Sequence, residues 1–316
     1  MNSHAILLMA YGTPENAEDV EAYFTHIRGG RRPSAEAVTR LQSRYALVGG
    51  RTPLLDISNS VRDRLQEKLH AETGEACPVY TGMKHWHPYI ADVVQQMWND
   101  GIRQVTAIAL APHYSRISIG GYRAAVDAAV AGLPSPLEVT FVDSWHLQPE
   151  FISMMAGRVT DALKDFPGDS RERVVTVFSA HSLPVRIRTW DDPYESQLLA
   201  SSNAVAKQLG LRDWRFAWQS AGETGEPWIG PDICEYLGTL HTEGVRHVLS
   251  VPIGFVADHL EIMFDLDHEA AQRAAELGMT WRRTRMPNDS PPFIETLAAV
   301  AVAARATSGA RGMPVS

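Results

Sequence analysis

Short, uninterrupted apolar runs alternate with longer amphipathic stretches along almost the whole chain. The runs predict strands at residues 4–10, 78–81, 105–111, 137–142, 174–180, 216–219, 247–252 and 280–283. Runs without a polar alternation suit parallel strands covered on both faces. Helical patterns lie between them, including 91–100 and 231–241, so the order of elements predicts βα units in a doubly wound α/β fold.

A weak internal repeat divides the pattern. MAYGTP (9–14) and SAHSLP (179–184) each end a predicted strand, and GIRQV (101–105) matches GVRHV (244–248), each closing a helix with Gly and opening a strand. This predicts a duplicated half with a parallel sheet of about four strands. At about 150 residues per domain, 316 residues make two. The expected boundary is at residue 150, giving domains 1–150 and 151–316, with the last helix able to pack back on the first domain. Residues 308–316 are expected to form a disordered tail.

Composition narrows the class. Hydrophobic residues are 45% and charged residues 21%, which excludes wholesale disorder and fibrous repeats. A formal net charge of −8 argues against a general nucleic-acid binder, which needs surplus cations to displace phosphate counterions. The two cysteines, Cys77 and Cys234, have no CxxC spacing, so a disulfide framework or thiolate cluster is not expected. With no basic leader and no apolar run near the ~20 residues of a membrane span, a cytoplasmic protein without stable membrane insertion is expected.

In open α/β sheets ligands bind beyond the carboxyl ends of the strands. The residues there are Tyr11, His113, His181 and the run 254–261, with Pro14 and Pro184 fixing turns three residues after Tyr11 and His181. Most of the twelve histidines need no functional explanation, but His181 holds a strand-end position in the repeat. The segment from Asp258 to Gly278 is expected to be one long helix. On it Glu261, Asp265 and Glu269 stand at i, i+4 and i+8, along one face. A solvated acidic face costs only about 0.2–0.5 kcal/mol per like-charged pair, so spacing alone is even-handed. The start of the row just after a Gly-Phe strand end points to a divalent cation instead.

A local excess of positive charge stands out. Residues 28–51 hold Arg28, Arg31, Arg32, Arg40, Arg44 and Arg51 against Glu36 alone, a net +5 in a chain whose remainder is −13. Ser34 can cap a helix on which Arg40 and Arg44 share a face and Val38, Leu41 and Tyr45 are apolar. Arginine forks match carboxylates, so a ligand with several carboxylates is expected there. No GxGxxG follows a strand and no GxxxxGK[ST] occurs, so a nucleotide is not expected.

LLMAYGTP, the Arg-rich segment ending VGGRTPL, LAPHYS, SAHSLP, WQSAGETGEPWIGPD and VPIGFVADHLEIMFDLD together resemble the ferrochelatase family, from about Ile6 to Phe293. The likeness is greatest to the short coproporphyrin III enzymes of Gram-positive type. It implies two Rossmann-like, chelatase-like domains with a porphyrin cleft between them, a lyase of heme biosynthesis, and ferrous iron as a substrate rather than a retained cofactor. By the same resemblance His181 and Glu261 are catalytic and metal-binding, with Asp265 and Glu269 as an outer cation path. Tyr11, Arg28, Arg44, Thr52 and Tyr122 would bind the porphyrin, with Met9, Ile27, Trp86 and Phe255 as candidate walls. Family members with a 2Fe-2S cluster use four cysteines, so none is expected here. A monomer is expected, handing its product to a downstream heme-pathway enzyme.

The residue chemistry fits without being borrowed. Metalation removes two pyrrole protons and delivers a divalent cation, which asks for a base that is neutral near pH 7, suited to His181, and a desolvating path, suited to the acidic row. Bending the planar ring in an apolar cleft would expose a pyrrole lone pair. A protoporphyrin IX ferrochelatase, a cobalt chelatase and a non-catalytic porphyrin carrier stay open as alternatives.

Overall fold

The structure is a computed structural model and describes residues 4–222 and 224–311. Among them are eight strands, β1 (His4–Ala10), β2 (Val79–Met83), β3 (Gln104–Ala109), β4 (Glu138–Val142), β5 (Val174–His181), β6 (Trp214–Gln219), β7 (His247–Val251) and β8 (Thr280–Arg283). They form two four-stranded sheets of order β2-β1-β3-β4 and β6-β5-β7-β8, every pairing parallel. The orders are the same with an offset of four. Each predicted strand is present, and the apolar runs are the reason: Ala5 to Ala10 in the central β1 are all buried, as a strand covered on both faces requires.

The connecting helices are α1 (Val20–Ile27), α2 (Ala35–Leu47), α3 (Leu54–Thr73), α4 (Ile90–Asn99), α5 (Ile119–Ala131), α6 (Pro149–Leu163), α7 (Tyr194–Leu209), α8 (Ile233–Thr242), α9 (Ala271–Glu276) and α10 (Pro291–Arg311). Ser34 caps α2, its hydroxyl accepting from the Ala37 amide at 3.2 Å, while Val38 and Tyr45 turn inward and Arg40 and Arg44 outward.

The chain divides into two compact units. One holds residues to Glu150 together with those from Asn288 onward, and the other is Phe151–Pro287. In the first, Leu7, Met9, Ala107 and Ala109 pack against Val93, Val94, Met97 and Val126 of α4 and α5. Met9, expected as a cleft wall, is therefore a core residue with no exposed surface. In the second, Val175, Val177 and Val248 pack against Ile233, Leu237, Ile262 and Leu266. Helix α10 lies on α3, β3 and β4 of the first unit, burying Phe293, Ile294, Leu297 and Val300.

Two expectations are corrected. The tail from 308 begins inside α10, because an alanine-rich stretch keeps its helical preference up to Arg311; residues 312–316 lie outside the described residues. The single long α-helix after Asp258 is not one: residues 262–270 form a nine-residue π-helix, followed by α9. Asp258 is not its cap but pairs with Arg283 at 3.2 Å.

Candidate active site

In the second unit the carboxyl ends of β5, β6 and β7 gather the reactive side chains. His181 is the last residue of β5, and Tyr194 of α7 donates its hydroxyl to the His181 carbonyl at 3.1 Å, anchoring the strand end. Beyond β7 the chain returns close to β5: the Gly254 amide donates to the Ser179 carbonyl at 3.2 Å, and a Cβ on Gly254 would stand 2.6 Å from that of Ala180. Only glycine allows this approach, and it sets the course of residues 255–261. Buried Gln219, at the end of β6, accepts from the Ser179 hydroxyl at 3.0 Å and donates to the Glu261 carbonyl at 3.3 Å.

These contacts bring Glu261 beside His181. Its Oε1 lies 3.3 Å from His181 Nε2, and its Oε2 lies 3.2 Å from Nε2 of His259, a residue that sequence reasoning missed. Each imidazole turns its other nitrogen to a backbone carbonyl, His181 Nδ1 to Ser182 and His259 Nδ1 to Ala257. Both nitrogens of the His181 ring thus face acceptors, and that ring makes both bonds only as an imidazolium. Burial opposes charge on His181, but the Glu261 carboxylate outweighs it and raises the pKa to about 9. Burial likewise opposes ionisation of Glu261, and the two imidazoles hold it well below the usual carboxylate range. The Glu261 carboxylate beside it thus favours the charged form of His181.

The acidic row continues inward and then out. Asp265 is buried and accepts the hydroxyl of Ser220, whose left-handed backbone (φ 62°) lies just beyond β6. Such a conformation costs a non-glycine residue about 1–3 kcal/mol and marks a held position. Glu269 is exposed on the π-helix. Among the described residues no three His, Cys, Asp or Glu side chains converge as a ready metal cage. Phe255 packs its ring 4.8 Å from His259, and Trp228 lies 6.2 Å from His181.

In the first unit Tyr11 follows β1 and is exposed, its ring 4.6 Å from that of His85 beyond β2. The His85 amide donates to the Tyr11 carbonyl at 2.9 Å, so neighbouring strand ends hold the two together. Gly12 bends the chain here at φ 100°, where a Cβ would meet the Trp86 amide at 2.8 Å. Arg28 caps α1 over the Phe24 ring, and Arg44 stands exposed in the last turn of α2. Thr52 does not face outward: it is buried, its hydroxyl 2.9 Å from that of Thr13, which lies 3.3 Å from Tyr45 Oη. Tyr122 is buried too, with Lys84 Nζ 5.2 Å over its ring, and burial lowers the pKa of Lys84.

Comparison with known proteins bears on the family and the fold. The family model described as Ferrochelatase matches residues 3–305. A "Ferrochelatase" of Herpetosiphon aurantiacus is 51% identical over 296 residues, 94% of this chain and 97% of that protein. A "Coproporphyrin III ferrochelatase" of Anoxybacillus flavithermus is 42% identical over 297 residues, 93% of this chain and 94% of that one. The solved structure of SirB from Bacillus subtilis with Fe3+ covers 98% of each chain at a TM-score of 0.61 and 11% identity, a likeness of fold. With its paired parallel sheets, its strand-end His181 with Glu261, and a family match over nearly its whole length, this chain belongs to the ferrochelatase family of metal chelatases.

Proposed function

We propose that this enzyme inserts ferrous iron into coproporphyrin III, with His181 and Glu261 as the proton- and metal-handling pair. The observation that carries the reaction is that pair, with Glu261 Oε1 3.3 Å from His181 Nε2 at a strand end. A divalent ion approaching Glu261 repels the imidazolium proton, which leaves; the neutral imidazole then accepts a pyrrole proton as iron enters the ring. The imidazole passes that proton to water and then accepts the second, so two pyrrole protons reach solvent for each ion inserted and the charge balances. Exposed Glu269 and buried Asp265 supply oxygens along which the ion sheds water before it reaches Glu261. Iron is the substrate and no 2Fe-2S cluster takes part, since Cys77 and Cys234 are two thiols where such a cluster needs four ligands.

Coproporphyrin carries four carboxylates and protoporphyrin two, so the preferred substrate follows from cations. The segment 28–51 carries its net +5 onto exposed Arg28, Arg40 and Arg44. A relative 42% identical over 297 residues bears the coproporphyrin name. Partly buried charge-assisted bonds contribute about 1.5–3 kcal/mol each, so two extra pairs give at least about a tenfold preference. Anaerobic steady-state insertion is expected to show that preference for coproporphyrin III in kcat/KM, narrowed in Arg44→Ala mainly through KM. Equal use of both porphyrins would refute the coproporphyrin assignment and leave the family standing. Failure of His181→Gln to lower insertion would refute the role of the pair.

A further inference from the structure

Two imidazoles meet in the first unit with no part in the chemistry described so far. His26, at the end of α1, places its Nδ1 3.1 Å from Nδ1 of His85, beyond β2. A single N–H···N bond can join neutral rings in this way, but the separation also matches two ligands of one ion. Across two metal–nitrogen bonds of about 2.05 Å, 3.1 Å subtends roughly 100°, between octahedral and tetrahedral values.

Both rings are held for the task. His26 stacks on Tyr89 with centroids 4.9 Å apart and planes 28° from parallel, and Tyr89 is braced by His87 at 4.4 Å. His85 is partly buried beside Tyr11, the two ring centroids 4.6 Å apart. His26 is exposed and borders an open cavity of about 610 Å³ that also receives Glu18, Glu21, Arg32 and Tyr89. Arg32 pairs with Glu21 at 2.5 Å, so Glu18 leaves the cavity with one net negative charge when the imidazole is neutral. The Glu18 carboxylate at a cavity that His26 borders attracts a cation, and imidazole ligands favour one of borderline softness over calcium or magnesium.

We propose that His26 and His85 form a two-imidazole binding site for a borderline divalent transition cation at the end of α1. A rotation of the exposed His26 ring would turn both Nδ1 lone pairs to one point, with water completing the shell, since no third His, Cys, Asp or Glu converges with them among the described residues. The site is built from first-unit residues alone, and it stands whether or not the porphyrin assignment does.

Zn2+ titration of the porphyrin-free protein tests it. With the second-unit pair blanked by His181→Asn and Glu261→Gln, the protein is expected to bind one Zn2+, and adding His26→Asn is expected to weaken that binding at least tenfold. His26 is exposed, so this variant keeps the fold, which circular dichroism checks. Histidine ring 15N spectra are expected to show the Nδ1 signals of His26 and His85 moving together on Zn2+ addition. No Zn2+ bound by the blanked protein, affinity unchanged within twofold by His26→Asn, or unmoved Nδ1 signals would each overturn the site. Because no porphyrin is present, none of these outcomes bears on substrate choice.

Discussion

Glu261 accepts from two imidazoles, and the direction of each pKa shift fixes how the folded protein responds to pH. His181 titrates above its ordinary 6.5, so the native state binds that proton more tightly than the unfolded chain does. Its stabilisation is complete below pH 6.5 and is lost as pH rises through about 9. Glu261 is shifted the other way, so its contribution is present above 4.5 and is lost on acidification below that value. Thermal melts in a chelator should therefore show the wild type's advantage over His181→Gln greatest between pH 4.5 and 6.5 and vanishing above about pH 9. A gap that stays flat from 6.5 to 9 would mean the two side chains are not paired in solution. His181 and Glu261 were legible in the sequence because one ends an apolar run in a repeated motif and the other begins a carboxylate row. His259 was not. Its signal was present in the HLE triplet, where a histidine stands two positions before the carboxylate, but only the turn after Gly254 brings both onto one atom pair. His26 and His85, 59 positions apart, carried no signal, since their meeting depends on β2 pairing with β1.

At the scale of elements, one guanidinium ties the π-helix to the turn before it. Arg283 on β8 makes a fork to Asp267 within the π-helix, at 2.7 and 2.8 Å, and reaches Asp258, three residues before Glu261, at 3.2 Å. Burial opposes the charge on Arg283, yet the two carboxylates raise its pKa further. The clamp brackets Glu261. Charge-assisted bonds of this kind contribute about 1.5–3 kcal/mol, so Arg283→Met is expected to lose about that much in urea denaturation and to lower kcat for iron insertion. Arg283→Lys keeps the charge without the fork and should fall between the two. Wild-type stability and kcat in Arg283→Met would show that the bracket positions nothing. The strands were legible because burial on both faces writes itself as an apolar run. The π-helix was not, because its i→i+5 bonding replaces a periodicity that the side chains of Ile262, Leu266 and Ala270 satisfy equally well at i+4. Thr52, implied by the resemblance as a porphyrin contact, turns its hydroxyl to that of Thr13, which in turn lies beside Tyr45 Oη.

At the scale of the molecule, the weak sequence repeat corresponds to a full repeat of topology, with MAYGTP ending β1 and SAHSLP ending β5 at equivalent places in the two sheet orders. The first unit is nevertheless discontinuous, because α10 belongs to it while the 151–287 segment intervenes. Phe293, Ile294, Leu297 and Val300 are each at most 5% exposed. Burying one such side chain stabilises by about 1.5–3 kcal/mol, and a whole domain has only about 5–15 kcal/mol in hand. A chain ended after Pro287 is expected to lose its first unit to limited proteolysis and to retain a resistant fragment close to 151–287; equal resistance of both units would overturn this. The same discontinuity bears on how the protein is made. A ribosome finishes β1 to β4 early, but the helix that closes their core emerges only after the entire second unit. At about 5–20 residues per second that is a wait of roughly ten to thirty seconds, during which the second unit can already be complete. The newborn chain is thus obliged to finish the inserted half first and its own beginning last, and the exposed sheet of that interval is where a chaperone would be needed.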